Sequence, residues 1–203
     1  MTTILVEGIP CSGKTSLARA LLVGDWKTRF DACIHLGEAY TVLPVADPAC
    51  TTVARLRRLT SIVRTIERMH RDHHTSRLSD VLPPLAILER LHLTFAVSHD
   101  PRKVDLEPYR RINERLHALD ALVVLTTVPA RALRRRLRLA TAERGEWFGR
   151  IFGPRATGAR HLDRLMRKQE NYRALLEGSG LRWIEVDTSA SSTECLSRLI
   201  AAC

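Results

Sequence analysis

The stretch TTILVEGIPCSGKTSLARAL, residues 2–21, decides the fold. Its centre, Gly8-Ile9-Pro10-Cys11-Ser12-Gly13-Lys14-Thr15, fits GxxxxGK[ST], the spacing of a phosphate-binding loop. TTILVE before it reads as a short buried strand, and SLARALL after it has helical propensity and apolar spacing. Gly8 and Gly13 permit backbone angles and close approaches that a side chain would block, so successive N–H groups can turn toward phosphate oxygens. The following helix adds its N-terminal partial positive charge, with Ser16 in its first turn. Lys14 is placed to reach the outer phosphates, and the Thr15 hydroxyl to ligate Mg²⁺. A nucleoside triphosphate, ATP as phosphoryl donor, is the expected occupant. Cys11 reads as a small filler of the loop, since position alone does not make a thiol reactive.

Working outward, four more apolar runs of strand length follow: 32–36, 84–88, 121–125 and 181–186. Longer segments with helical spacing lie between them. Strands alternating with helices predict a doubly wound α/β domain, a five-stranded parallel sheet with helices on both faces. The clearest helix runs from Thr51 to Met69, with Val53, Leu56, Leu59, Ile62, Val63, Ile66 and Met69 on one side and Arg55, Arg58, Arg64 and Glu67 largely on the other. Others are expected over 107–119, from 131 onward, and over 162–176. Segment 140–160 carries Gly145, Gly149, Gly153 and Gly158 among Arg144, Arg150, Arg155 and Arg160. It reads as a mobile lid whose arginines meet charge on a transferred phosphoryl group.

The 203 residues suit a single domain. A hydrophobic content of 45% with 27% charged residues belongs to the soluble globular class, and no run approaches the roughly 18 apolar residues of a membrane span. The N-terminal residues do not read as a secretory signal, so a cytoplasmic location is expected. Five widely spaced cysteines without a CxxC pair read as reduced thiols. A net charge of +10 attracts anions, nucleic acid or polyphosphate. Nucleic acid is disfavoured by the missing arm or basic tail, and because the chain offers Leu88-Glu89-Arg90 where motors carry a second motif, a hydrophobic strand ending in Asp or Asp-Glu. A guanine-nucleotide switch is disfavoured because neither DxxG nor NKxD occurs. His70 and His74, one helical turn apart, read as a solvated face ahead of a metal pair. Tyr40, Trp147, Phe148 and Phe152 read as core ahead of ring-stacking positions.

In an open parallel sheet ligands collect beyond the carboxyl ends of the strands, so polar residues there are informative. Glu38 follows IHLG, and Glu89-Arg90 closes LAIL. One carboxylate can hold water on Mg²⁺ while the other takes a proton from a hydroxyl, and Arg90 can stabilise phosphoryl oxygens or hold a carboxylate in place.

The order GxxxxGKT, Glu38 after the second strand, ILER at the next, LVVLTTVPARALRRRLR leading into the glycine-bearing segment, and finally WIEVDTS resembles the thymidylate kinase and deoxynucleoside kinase group of P-loop kinases. The resemblance implies that Glu38 is the general base for the acceptor hydroxyl. It implies that Glu89 and Arg90 lie near Mg²⁺ and the acceptor. It also implies that Arg135, Arg138 and Arg144 clamp phosphates or stack on the donor base, and that the loop Asp187-Thr188-Ser189 holds the adenine. The chain differs from the group at Ala39, where deoxynucleoside kinases carry proline, at Leu91, where they carry serine, and at Phe95, where they carry an acid. A nucleoside or nucleotide is the implied acceptor, with a sugar or antibiotic hydroxyl as the alternative. A homodimer through helices beside the sheet is a further implication; the apolar face of 51–69 suits either that or the domain core.

Overall fold

The computed structural model describes residues 2–45, 49–75, 82–97, 105–152 and 157–203. Five strands form one parallel sheet: β1 (Thr2–Gly8), β2 (Cys33–Leu36), β3 (Leu85–Glu89), β4 (Leu122–Thr127) and β5 (Arg182–Asp187), in the order β2-β3-β1-β4-β5. The helices are α1 (Lys14–Val23), α2 (Glu38–Thr41), α3 (Thr52–Thr75), α4 (Leu93–Ala96), α5 (Arg110–Ala118), α6 (Ala130–Phe152), α7 (Ala159–Glu177) and α8 (Ser192–Ala202). The expected doubly wound α/β fold is present. The strands extend past the apolar runs by a residue or two; in β4, Thr126 and Thr127 continue the ladder opposite Val186 and Asp187.

β1, β3 and β4 are buried on both faces, which explains why they read as continuous apolar runs and not as alternations. Leu5, Leu88, Val123 and Leu125 point into the larger core under α3, α5, α6 and α7. Ile4, Val6, Ile87 and Val124 point the other way, against α1 and α8. β1 sits at the centre with β3 on one side and β4 on the other. Beyond Gly8 the chain turns toward one half of the sheet, and after β3 toward the other, so a crevice opens at the carboxyl ends.

Two expectations change. Helix α3 runs on to Thr75, and its apolar stripe Leu59, Ile62, Val63 and Ile66 is buried within the domain's own core; Val53 alone of the named apolar residues stands mostly exposed, at 58%. Burial in the chain's own core, and not pairing with a second copy, therefore accounts for that stripe. The segment taken for a lid is helical as far as Phe152, with an interruption at Gly145 (φ 47°, ψ −127°), and helix resumes at Ala159. Good helix formers on both sides of Gly145 carry the helix across a position that only glycine adopts readily. The side chains of Arg144, Trp147, Phe148, Arg150 and Phe152 lie outside the described residues, as do Gly153 and Arg155.

Candidate active site

The loop between β1 and α1 is held by three unusual backbone positions: Gly8 at φ +146°, Cys11 at φ 59° and Gly13 at φ +88°. Gly8 lies against β4, where Thr126 Oγ1 donates to the Glu7 carbonyl (3.0 Å) and shares a 2.6 Å hydrogen bond with Ser12 Oγ. Gly13 precedes α1 as its N-cap, and no side chain caps the helix or places an acid in its first turn. The first amides of α1 are therefore left to an anion. Ile9 points into the core and Ser12 is buried, while Pro10, Cys11, Gly13, Lys14, Thr15 and Ser16 line a cleft of about 830 Å³.

Lys14 is 4% exposed; its ammonium donates to the Ile9 carbonyl at 2.9 Å and lies 3.6 Å from Glu38 Oε1. Burial, reinforced by the nearby Arg90 charge, pushes Lys14 down to about 7, against the pull of Glu38, Glu7 and Glu89. Glu38 opens the short α2 after Gly37, and the same Oε1 is ion-paired with Arg90 Nε at 3.0 Å. Glu89, the last residue of β3 and 1% exposed, accepts from Thr15 Oγ1 at 2.6 Å and meets His35 Nε2 at 2.8 Å. Its backbone carbonyl accepts from Thr41 Oγ1 at 2.6 Å, which ties α2 to the end of β3. Thus Lys14, Thr15, Glu38, Glu89 and Arg90, named from three separate stretches of the chain, line one cleft.

Arg90 reaches Glu38 through a left-handed backbone (φ 56°) that turns the chain out of the sheet. Its N–H donates to the Val6 carbonyl, and that of Leu91 to Glu7 Oε1, both at 2.9 Å. Glu7 is fully buried; Thr94 Oγ1 and Tyr172 Oη complete its shell at 3.0 and 3.3 Å. Burial pushes its carboxyl up, opposed by the Leu91 hydrogen bond and by Arg90. A carboxylate inside an otherwise apolar strand was the visible signal for this support.

Of the arginines expected to clamp phosphates, Arg135 and Arg138 are exposed and lie away from the cleft lining, and the side chain of Arg144 lies outside the described residues; among the arginines of α6 that are described, Arg136 reaches the loop. Its guanidinium donates to the Cys11 carbonyl (3.3 Å), to Thr188 Oγ1 (2.8 Å) and to the Thr188 carbonyl. Leu133, Leu137 and Ala140 face the core at i, i+4 and i+7, so Arg136 shares their side of α6 while its neighbours turn away. Asp187 is likewise not at the cleft: its Oδ1 accepts from Ser189 N at 2.8 Å, closing its own turn. The next residue, Thr188, lines the cleft and donates to the Ser12 carbonyl at 2.6 Å. Tyr40, expected in the core, is 63% exposed at the lip of the cleft, because α2 is too short to bury it. His35 was overlooked altogether. None of the five cysteines is in a disulfide, and the described residues hold no group of three or more metal-ligating side chains.

No protein-family model matches the chain, and no curated protein matches it in sequence. Solved structures do. The YorR protein of Bacillus subtilis, solved with phosphorylated GDP, is 16% identical at a TM-score of 0.58, covering 98% of this chain and 94% of that one. An unliganded sugar kinase from Janibacter sp. HTCC2649 is 14% identical at a TM-score of 0.52, covering 99% and 93%. At these identities the likeness carries the fold, the five-stranded parallel arrangement described above.

Proposed function

We propose that the protein is a phosphotransferase that moves the γ-phosphoryl group of ATP to a small-molecule acceptor, a nucleoside or nucleotide. The observation that carries this reading is the meeting of Glu38, Lys14 and Arg90 beside the uncapped start of α1. A cation buried behind a carboxylate at a phosphate loop suits in-line transfer: the acceptor oxygen bonds to phosphorus, the bond to the ADP oxygen breaks, and Glu38 takes the hydroxyl proton. Lys14 and Arg90 stabilise charge gathering on the transferred group. Arg90 also holds the Glu38 carboxylate in place. The paired hydroxyl and carboxylate of Thr15 and Glu89 are hard oxygen donors of the kind Mg²⁺ takes, and the ion held there would neutralise phosphate charge. Arg136 and Thr188 tie the loop to α6 and to the turn after β5, where the donor base would lie. Thiols outside any disulfide suit a cytoplasmic protein. The sugar kinase among the similar folds supports a second reading, a sugar or natural-product hydroxyl as acceptor.

The test is ADP release from Mg·ATP across deoxynucleosides, ribonucleosides, their monophosphates, sugars and hydroxyl-bearing antibiotics. Stimulation by nucleosides or nucleotides is the expected result. Stimulation by sugars or antibiotics alone moves the assignment to the second reading, and none at all despite ATP binding removes the phosphotransferase reading.

A pH dependence follows from Lys14. Its ammonium titrates near 7 in the ligand-free protein, and a bound triphosphate raises that value. Above pH 7 binding must then take up a proton, so affinity for a non-hydrolysable ATP analogue weakens with rising pH, by about tenfold per unit at the limit. Titration calorimetry in two buffers of different ionisation heat at pH 8 reads the uptake directly. Zero uptake would show that Lys14 is not deprotonated ahead of binding, and the expected weakening with pH would then be absent.

A further inference from the structure

A second groove, about 820 Å³, lies between α3 and α5 and shares no lining residue with the cleft. Six arginines line it: Arg57, Arg64 and Arg68 from α3, and Arg110, Arg111 and Arg115 from α5. Arg115 is taken up by Glu67, whose two carboxylate oxygens both accept from Arg115 Nη1 at 2.8 and 2.6 Å, and Arg110 by the exposed Glu107 and Glu114 at 3.5 and 3.9 Å. Among the described residues no carboxylate pairs with Arg57, Arg64, Arg68 or Arg111. On α3 these guanidiniums recur at i, i+7 and i+11, a single stripe with Thr60 and Ser61 inside it. Apolar surface among them comes from Val53, 58% exposed, and the half-buried Leu56.

We infer that this groove receives an acidic amphipathic helix from a protein partner. Guanidiniums held together without counter-charges repel one another, and a line of carboxylates relieves that repulsion through fork-shaped pairs. Apolar surface among cationic side chains is what an amphipathic helix fills with anchors at i, i+3, i+4 and i+7. Single-stranded nucleic acid is a poorer fit because no aromatic ring among the described residues lines the groove to stack on bases. A second copy of the chain is poorer still, because two such faces set arginines against arginines. The inference is independent of the phosphotransferase reading.

The experiment uses fluorescence anisotropy with three probes on the whole protein. The first is a helical peptide of glutamates with leucines at i, i+3, i+4, i+7 and i+11, the second an isomer with the same residues in broken spacing, and the third an oligothymidylate. The amphipathic peptide is expected to bind about tenfold or more tightly than its isomer, and to lose about tenfold or more in Arg64→Glu/Arg111→Glu. Binding of the ATP analogue to that variant, and its thermal midpoint, report that cleft and fold are intact. Arg64→Gln/Arg111→Gln, which removes charge without reversing it, should fall between. Equal binding of the two peptides overturns the inference, as does insensitivity to charge reversal. So does an oligothymidylate that binds more tightly and is lost in the variant, or a dimer that buries the groove.

Discussion

Replacing Glu38 by glutamine is expected to lower turnover on a hydroxyl acceptor by about 100- to 10,000-fold while leaving affinity for Mg·ATP nearly unchanged. The amide keeps the size of the side chain and an oxygen to face Arg90, which pairs with Glu38 Oε1 at 3.0 Å, but it cannot accept the acceptor's proton. Lys14 stays in place through its own 2.9 Å bond to the Ile9 carbonyl, so the donor site survives. A loss confined to kcat identifies a group acting on the transition state; a loss confined to KM would assign Glu38 to binding. Turnover within a few-fold of the parent on a hydroxyl acceptor would show that the carboxylate only balances the charges of Lys14 and Arg90. Single-turnover measurement with the best acceptor separates these outcomes from slow product release.

Gly8→Ala is expected to destabilise the fold by about 3 kcal/mol or more and to abolish nucleotide binding in whatever fraction stays folded. Gly8 has φ +146°, a region closed to other residues, and a Cβ there would lie 2.4 Å from Thr126 Oγ1, 2.5 Å from the Thr126 carbonyl and 2.8 Å from Ser12 Oγ. The hydroxyls could rotate, but the carbonyl cannot retreat, because Thr126 is the ladder partner of Gly8 within the sheet. The strain must therefore pass into the loop that carries Lys14 and Thr15. Gly145→Ala is the contrast: its backbone (φ 47°, ψ −127°) is also unfavourable for a side chain, yet a Cβ there meets nothing within 4 Å, so the backbone cost alone, about 1–3 kcal/mol, is expected. Urea unfolding of both variants gives the comparison. A midpoint for Gly8→Ala close to that of Gly145→Ala would show that the loop can move off β4 without cost.

How much of this site could be read in advance varies residue by residue. The glycine loop between β1 and α1 was legible because its requirements are local: glycines at set positions, a lysine and a hydroxyl after them, a strand before and a helix behind. Glu38, Glu89 and Arg90 were legible because the ends of parallel strands converge at one edge, so a polar residue just past an apolar run is already placed near the ligand. Arg136 was not legible among neighbouring arginines, since choosing it needs the helical phase set by Leu133, Leu137 and Ala140 against the core. His35 was hidden because β2 lies at the sheet edge, where only its pairing with β3 brings the ring to Glu89. Within the loop Asp187-Thr188-Ser189, which side chain meets the β1–α1 loop was not legible, because one residue of turn decides it: Thr188 donates to the Ser12 carbonyl while Asp187 closes its own turn.

The sequence by itself determined the parallel α/β sheet, the glycine turn between β1 and α1 and the apolar stripe of α3, because each depends on periodicity and on neighbours within a few residues. Only the tertiary structure decided which charges meet. Thr15 and Glu89 stand 74 residues apart, and Arg136 and Cys11 stand 125 apart. Contacts at such separations are set by strand register and helix rotation, which arise when both faces of the sheet are packed at once and one residue's slip would turn each side chain away.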